Sequence, residues 1–358
     1  MPLLLVLLPF CIALLITAVS TYLLIPVIKK LRLVDDPQKH KHPAILHTKT
    51  IPRGGGIPLL IGILVTSLFF IPLNSTTIAI FLAAFLALLI GVIDDRFNAT
   101  SKDVSPYLRF GVNIICAVII VQAGITIPFI TNPLGGILHL NQVILPFISL
   151  TIGDVLAIIW IVWVMNMLNW SKGVDGQMPG IVAISAIVIG ILSLRFPGLD
   201  ATTIIDAKLS FIIAGAAVGF LILNFYPAKI FPGYGATAMY LLLAVVSILS
   251  SAKLAIAILV MGVPTVDALF TILRRILSGR SPFLHDNEHL HHLLLRLGYS
   301  QRQIALFYWI ISAIVGTIAL TLTSQNKLFA LLMLIVIVGG ALLFLHLILK
   351  NQHEKDTA

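Results

Sequence analysis

Charge is what this chain has least of. Asp, Glu, Lys and Arg together make up 10% of its 358 residues, and only 14 residues are acidic. A chain this long has room for two soluble domains, but one so poor in charge has little with which to wet their surfaces. Cysteine is nearly absent as well. Cys11 and Cys116 sit far apart in apolar sequence, where a small buried hydrophobe is the plain reading, and no thiol chemistry is expected. Lys and Arg are missing altogether from 124–151, where Pro128, Pro133, Gly135 and Gly136 suggest a hairpin on the translocated side. Asp154, just beyond it, reads as a hydrated helix start. No low-complexity linker or internal repeat divides the chain, so residues 1–358 are expected to form one integral-membrane domain. No basic segment precedes the first apolar run, while Lys29, Lys30 and Arg32 follow it, the pattern of a span that is kept rather than of a cleaved signal.

Apolar sequence fills the space that charge leaves. The chain is 59% hydrophobic with a mean hydropathy of +1.07, which places it among polytopic membrane proteins. A hydrocarbon core about 30 Å thick asks for roughly 17–23 apolar residues per helix. Eleven runs approach that length, near 3–28, 57–73, 76–93, 108–123, 152–169, 179–195, 209–225, 236–250, 254–271, 304–323 and 327–349, so an all-α fold of about eleven transmembrane helices is expected. With the N-terminus outside, nineteen of the twenty-three Lys and Arg residues fall in inward segments, and only Arg195, Lys208, Lys253 and Lys327 fall outward. The positive-inside rule then puts the loops near 29–56, 94–107, 170–178, 226–235 and 272–303, together with the C-terminus, in the cytoplasm. A net charge of +9 gathered on one membrane face suits anionic head groups, phosphates and sugar nucleotides, and nothing in the sequence resembles a nucleic-acid module.

Polar groups concentrate in a few places. The densest is Pro264 to Tyr299, which carries Asp267, Arg274, Arg275, Arg280, Asp286 and Glu288, then His285, His289, His291 and His292. Each such group near lipid needs a polar or hydrated niche, so this break between apolar runs reads as an active face. Arg274 and Arg275 are either phosphate-binding forks or positive-inside anchors. His289 and His292, three apart, have the spacing of a metal pair but lack an evident third ligand. The third run ends in Asp94-Asp95-Arg96, adjacent carboxylates that call for a cation or a proton unless Arg96 and basic loops simply cap the helix end. Asn166 and Asn169 share a helix face, so their amides either converge on one site or bond across helices. The first inward loop ends in Arg53 and Gly54-Gly55-Gly56, whose amides could approach a phosphate or whose glycines could form a hinge. Lys39, His40, Lys41 and His42 in that loop read as head-group contacts.

Several of these strings carry a family resemblance. Arg280-Ser-Pro-Phe, Asp286 and His289-Leu-His-His292 resemble the last cytoplasmic loop of the polyprenyl-phosphate sugar-1-phosphate transferases, glycosyltransferase family 4. That family includes the bacterial transferases that load N-acetylglucosamine phosphate or phospho-N-acetylmuramoyl-pentapeptide onto undecaprenyl phosphate. His47, Arg53 and the glycines resemble its entry loop, Asp94-Asp95 its paired aspartates, and Asn166-Met-Leu-Asn169-Trp-Ser-Lys172-Gly-Val-Asp175-Gly its second signature. Two positions depart from the pattern: Lys172 stands where the first aspartate of that signature is expected, and Tyr234 where the family places its principal Mg²⁺ ligand.

The resemblance implies transfer of a sugar 1-phosphate from a UDP-sugar, on the N-acetylhexosamine side of the family, to polyprenyl phosphate with release of UMP, at the start of envelope polysaccharide or peptidoglycan synthesis. It implies a cytoplasmic cleft in a bacterial inner membrane, with Asp94, Asp95, Asp267, His289, His291 and His292 as catalytic candidates. His47, Arg53, Asn166, Asn169, Lys172, Asp175, Arg274, Arg275 and Arg280 would bind substrate. It also implies Mg²⁺, for which Asp94 and Asp95 remain as ligands, and leaves a homodimer open. The alternative is a catalytically degenerate relative that binds lipid phosphate or acts as a scaffold, which Lys172 and Tyr234 would explain; a transporter would instead place its charges at mid-membrane.

Overall fold

The structure is a computed structural model and describes residues 2–37, 49–100, 104–132, 135–145, 149–195, 201–249, 254–283 and 286–356. Helices dominate it, as expected of an apolar chain that must satisfy its own backbone polar groups in lipid. In chain order they are α1 (Pro2–Lys30), α2 (Gly56–Phe70), α3 (Ser75–Asn98), α4 (Pro106–Gln122), α5 (Ile152–Trp170), α6 (Gln177–Leu194) and α7 (Ala201–Asn224). There follow α8 (Thr237–Ile248), α9 (Leu254–Val260), α10 (Gly262–Leu277), α11 (Leu290–Arg296), α12 (Gln301–Ala319) and α13 (Ser324–Asp356). The strands are short: β1 (Val34–Asp35) pairs with β2 (Ile51–Pro52), β3 (Phe129–Thr131) with β4 (Ile137–His139), and β5 (Val143–Leu145) with β6 (Leu150–Thr151), all antiparallel.

Each of the eleven apolar runs falls on helix, but not all are long. Among the described residues seven helices, α1, α3, α5, α6, α7, α12 and α13, are long and apolar enough to cross a membrane, and α9 with α10 makes an eighth if that pair, bent by 80°, is one span. The expected eleven is not reached on that measure, because α2, α4 and α8 have 15, 17 and 12 residues. The shortest of them, α8, is buried along its whole length among α3, α5, α6 and α7. A helix walled by other helices has no lipid thickness to match.

Two close approaches shape the bundle. Gly215 and Gly219 of α7 lie against the α1 backbone, where an added Cβ would fall 2.2 Å from Phe10 O and 2.3 Å from Leu14 O. This is the small-xxx-small contact that lets membrane helices meet backbone to backbone. The second seam joins the first loop to the loop before α8: Gly55 N donates to Phe231 O (3.0 Å), Gly56 N to Pro232 O (3.0 Å), and Phe231 N to Pro52 O (2.8 Å). A Cβ on Gly56 would lie 2.1 Å from the carbonyl carbon of Gly235. The amides of Gly55 and Gly56 are therefore spent on this seam and are not open to a phosphate.

Arg195 and Lys208 end on carbonyls at helix C-termini, Arg195 donating to Leu320 O (3.0 Å) and Lys208 to Phe70 O (3.4 Å). Asp154, read as a hydrated start, belongs to a capping box with Thr151 at the head of α5. Cys116 is buried, but Cys11 faces outward from α1, so only one of the two is a core residue.

Candidate active site

The C-terminal ends of α1, α3, α5 and α10 and the N-terminal end of α4 converge on one cavity of about 1160 Å³. It is lined by Arg53, Asn166, Asn169, Lys172, Asp175, Tyr234, Arg275, His289, His291 and His292, and on one side by Tyr22, Leu23 and Lys29 of α1. Most sequence-predicted residues thus meet, although they span more than two thirds of the chain. Arg280 does not join them: it is exposed beyond the end of α10. His47 lies outside the described residues, as do His40 and His42.

The paired carboxylates are buried behind the cavity wall, Asp94 1% and Asp95 0% exposed. Each is answered by arginine. Arg53 donates from Nε to Asp95 Oδ1 (3.1 Å), and from its terminal nitrogen to Asn98 Oδ1 (2.8 Å) and Asp35 Oδ2 (3.4 Å); the β1–β2 pairing brings that last carboxylate within reach. Arg109 of α4 donates to Asp94 Oδ1 (3.1 Å). Asp95 also accepts from the backbone amides of Tyr234 (2.8 Å) and Gly235 (3.3 Å), which fastens the α8 loop to α3. Gly233 is needed there: its φ is +66°, and a Cβ would sit 2.2 Å from Asp95 Oδ2.

The two departures from the family pattern occupy the same place. Tyr234 is buried, its hydroxyl accepts from Asn113 Nδ2 (3.3 Å), and burial holds the phenol up at about 12. The Arg109 guanidinium lies over its ring at 5.1 Å and the Lys172 ammonium at 5.6 Å. Lys172 Nζ donates to Gly233 O (2.9 Å), and burial together with the nearby Arg53 charge brings its pKa down to about 7.

Nearby, Asn166 donates back to Val162 O (2.7 Å) in its own helix, while Asn169 Oδ1 is buried without a hydrogen-bond partner. Asp175 accepts from Ala228 N (2.9 Å), and Gln301 from Asp175 N (3.1 Å), so this turn is braced on both sides.

The histidines form the opposite wall. Asp267 binds His289 Nδ1 (3.1 Å) and accepts from Leu290 N (2.9 Å), so it orients the head of α11 and does not itself line the cavity. His289 caps α11 rather than lying in it, stacks on His291 at 5.8 Å, and faces Trp170 at 6.3 Å. Burial, with His289 and His292 as neighbours, holds His291 well below its ordinary range, and burial brings His292 to about 4, so both are neutral at physiological pH. Arg274 (2.7 Å) and Arg275 (2.8 Å) both donate to Asp286 Oδ2, and Arg275 and Asp286 stand on the cavity wall. Arg275 also donates to Pro282 O (2.7 Å), and Arg274 is absent from the cavity wall.

Sequence reasoning missed Arg109 as a site residue. The available signal was a lone cation at the head of an apolar run, which must find a partner. Asp286 was read as part of the last-loop motif but given no role of its own, because that role depends on a fold that returns it to α10.

The implied Mg²⁺ does not fit the donors present. Among the described residues no three His, Cys, Asp or Glu side chains converge as a metal site. Asp94 and Asp95 are each held by arginine, and the position expected to ligate carries a phenol under two cations. Asp94 Oδ2 is buried without a partner, but one orphan oxygen is not the near-octahedral oxygen shell that Mg²⁺ requires.

Comparison with known proteins adds the lineage. Residues 77–251 match the model of glycosyl transferase family 4. The chain is 27% identical over 340 residues to a probable undecaprenyl-phosphate N-acetylglucosaminyl 1-phosphate transferase of Bacillus subtilis, covering 91% of this chain and 88% of that protein. It is 30% identical to the undecaprenyl-phosphate alpha-N-acetylglucosaminyl 1-phosphate transferase of Haemophilus influenzae over 82% and 81% of the two chains. It is also 30% identical to the decaprenyl-phosphate N-acetylglucosaminephosphotransferase of Mycolicibacterium smegmatis over 74% and 70%. With a relative this similar over four fifths of both lengths, and the family's motif positions gathered around one cavity, the chain belongs to glycosyl transferase family 4.

Proposed function

We propose that this protein transfers N-acetylglucosamine 1-phosphate from UDP-N-acetylglucosamine to a polyprenyl phosphate, releasing UMP, at the cytoplasmic face of a bacterial plasma membrane that its chain crosses eleven times. The observation that carries this reading is a single cavity that joins the half-buried cations Arg53, Arg109 and Lys172 to the outward-facing Tyr22 and Leu23 of α1, 70% and 60% exposed. An ionic head and an apolar tail of one substrate can be held there together. An oxygen of the lipid phosphate attacks the sugar-bearing phosphorus; a new P–O bond forms, the P–O bond to the uridine-bearing phosphate breaks, and UMP leaves with the electron pair. Such chemistry depends on alignment and on neutralising oxygen charge. Arg53, Arg109 and Lys172 supply charge, and Asp94 and Asp95 fix the two arginines. Asn169 and Asp175 face the nucleotide, while His289 and His292 donate to phosphate oxygens from the other wall, with Asp267 orienting His289.

The test is UMP release by purified protein from a panel of UDP-sugars, with and without undecaprenyl phosphate. Lipid-dependent release from UDP-N-acetylglucosamine is expected. Lipid binding without UMP would favour the scaffold reading and overturn this one.

A further inference from the structure

Two cations of the cavity, Arg109 and Lys172, lie over the Tyr234 ring, and a third, Arg53, shares the cavity wall. Arg53, Arg109 and Lys172 are tied in place from behind, by Asp95, Asp94 and Gly233 O respectively. Cation–π contact and carboxylate pairing hold each head in one position while leaving it on the cavity wall. Lysine has three donors, of which Gly233 O takes one. The ring also removes what a metal would need, since a phenol held protonated by burial brings no anionic oxygen. Charge balance makes the two positions a pair: exchanging Lys172 and Tyr234 together for aspartates would leave the same shell about two to three units more negative, a surplus that a bound cation or proton uptake would have to offset.

We propose that the diphosphate of the nucleotide sugar is held in this chain by the fixed cations Arg53, Arg109 and Lys172 around the Tyr234 ring, with no divalent ion. The inference deepens the transfer reading, from which it takes the nucleotide sugar as ligand.

Binding and turnover are therefore measured separately. Purified protein is titrated with UDP-N-acetylglucosamine in excess chelator and in excess Mg²⁺. Wild type is expected to bind equally in both. Lys172→Met, which keeps the volume and loses the charge, is expected to bind about tenfold or more weakly in chelator, the loss expected of a charge-assisted hydrogen bond. Lys172→Arg, with its charge restored, should recover most of the affinity. The double variant Lys172→Asp with Tyr234→Asp should bind only when Mg²⁺ is added. Wild-type binding that requires Mg²⁺, an unchanged affinity in Lys172→Met, metal-free binding by the double variant, or no binding by wild type under either condition would each overturn the proposal. Metal-free binding without UMP release would leave it standing and would instead count against transfer.

Discussion

Three acids of this site act by fixing bases. Asp94 and Asp95 hold Arg109 and Arg53, and Asp286 gathers Arg274 and Arg275 onto one oxygen. Breaking a buried pair costs about 3–5 kcal/mol, because the remaining charge is left stranded. Arg109→Met should therefore lower resistance to thermal unfolding in detergent sharply, and Asp94→Asn added to it should return much of the loss; a single variant as stable as wild type would show that the pair is idle. Asp286 gives a pH test. Burial raises its pKa, but the hydrogen bond from Arg275 and the charges of both arginines prevail and hold it at about 2, below the ordinary 3.8. A depressed carboxylate stabilises the fold fully above its unfolded pKa and loses that contribution as pH falls through the folded one. Wild type should be more stable than Asp286→Asn at neutral pH, and the gap should close between about pH 4 and pH 2. A gap that persists at the acid end would assign the difference to shape rather than charge. Adjacency made Asp94 and Asp95 legible in sequence, and Arg53, the partner of Asp95, was named there too, whereas Arg109, the partner of Asp94, stands alone in an apolar run.

Among the elements, helix existence was readable from hydrophobic runs and helix role was not. Composition alone cannot separate the buried α8 from a lipid-facing span, nor show that the ninth run turns by 80° at Met261. The glycines of the first loop were ambiguous for a related reason. A residue without a side chain serves phosphate approach and backbone packing equally well, and only the partner, here the Pro232–Gly235 loop, decides between them. The pair on α7 went unnoticed although its spacing is informative, because apolar helices are rich in small residues. Gly219→Leu should push α1 off α7, since the new Cβ would meet Leu14 O and its neighbours as backbone that cannot rotate away. Overpacking of this kind costs about 1–3 kcal/mol. Cysteine crosslinking between α1 and α7 should weaken in that variant, while Gly339→Leu on α13, where an added Cβ meets nothing within 4 Å, should leave it intact. Equal crosslinking in both variants would mean that the close approach does not hold the pair together.

Taken whole, the molecule is polarised. The cavity and its cations lie at one end of the bundle, where α1, α3, α5 and α10 finish, and the β3–β4 and β5–β6 hairpins lie beyond the opposite ends of α4 and α5. Among the cations read as outward-facing, Arg195 and Lys208 are taken up by carbonyls of Leu320 and Phe70, which tempers their weight as topological signals. The cytoplasmic placement proposed above rests on the positive-inside rule, and labelling from either side of the membrane tests it. The prediction is a matched pair of labelling sites. Thr100, exposed just past α3, and Ile137, 57% exposed on β4, are each replaced by cysteine in a background lacking Cys11 and Cys116. An impermeant maleimide should reach Ile137→Cys in intact cells and Thr100→Cys only after the cells are opened. The reverse pattern would put the cavity outside, and labelling of both in intact cells would break the assignment of these two loops to opposite faces.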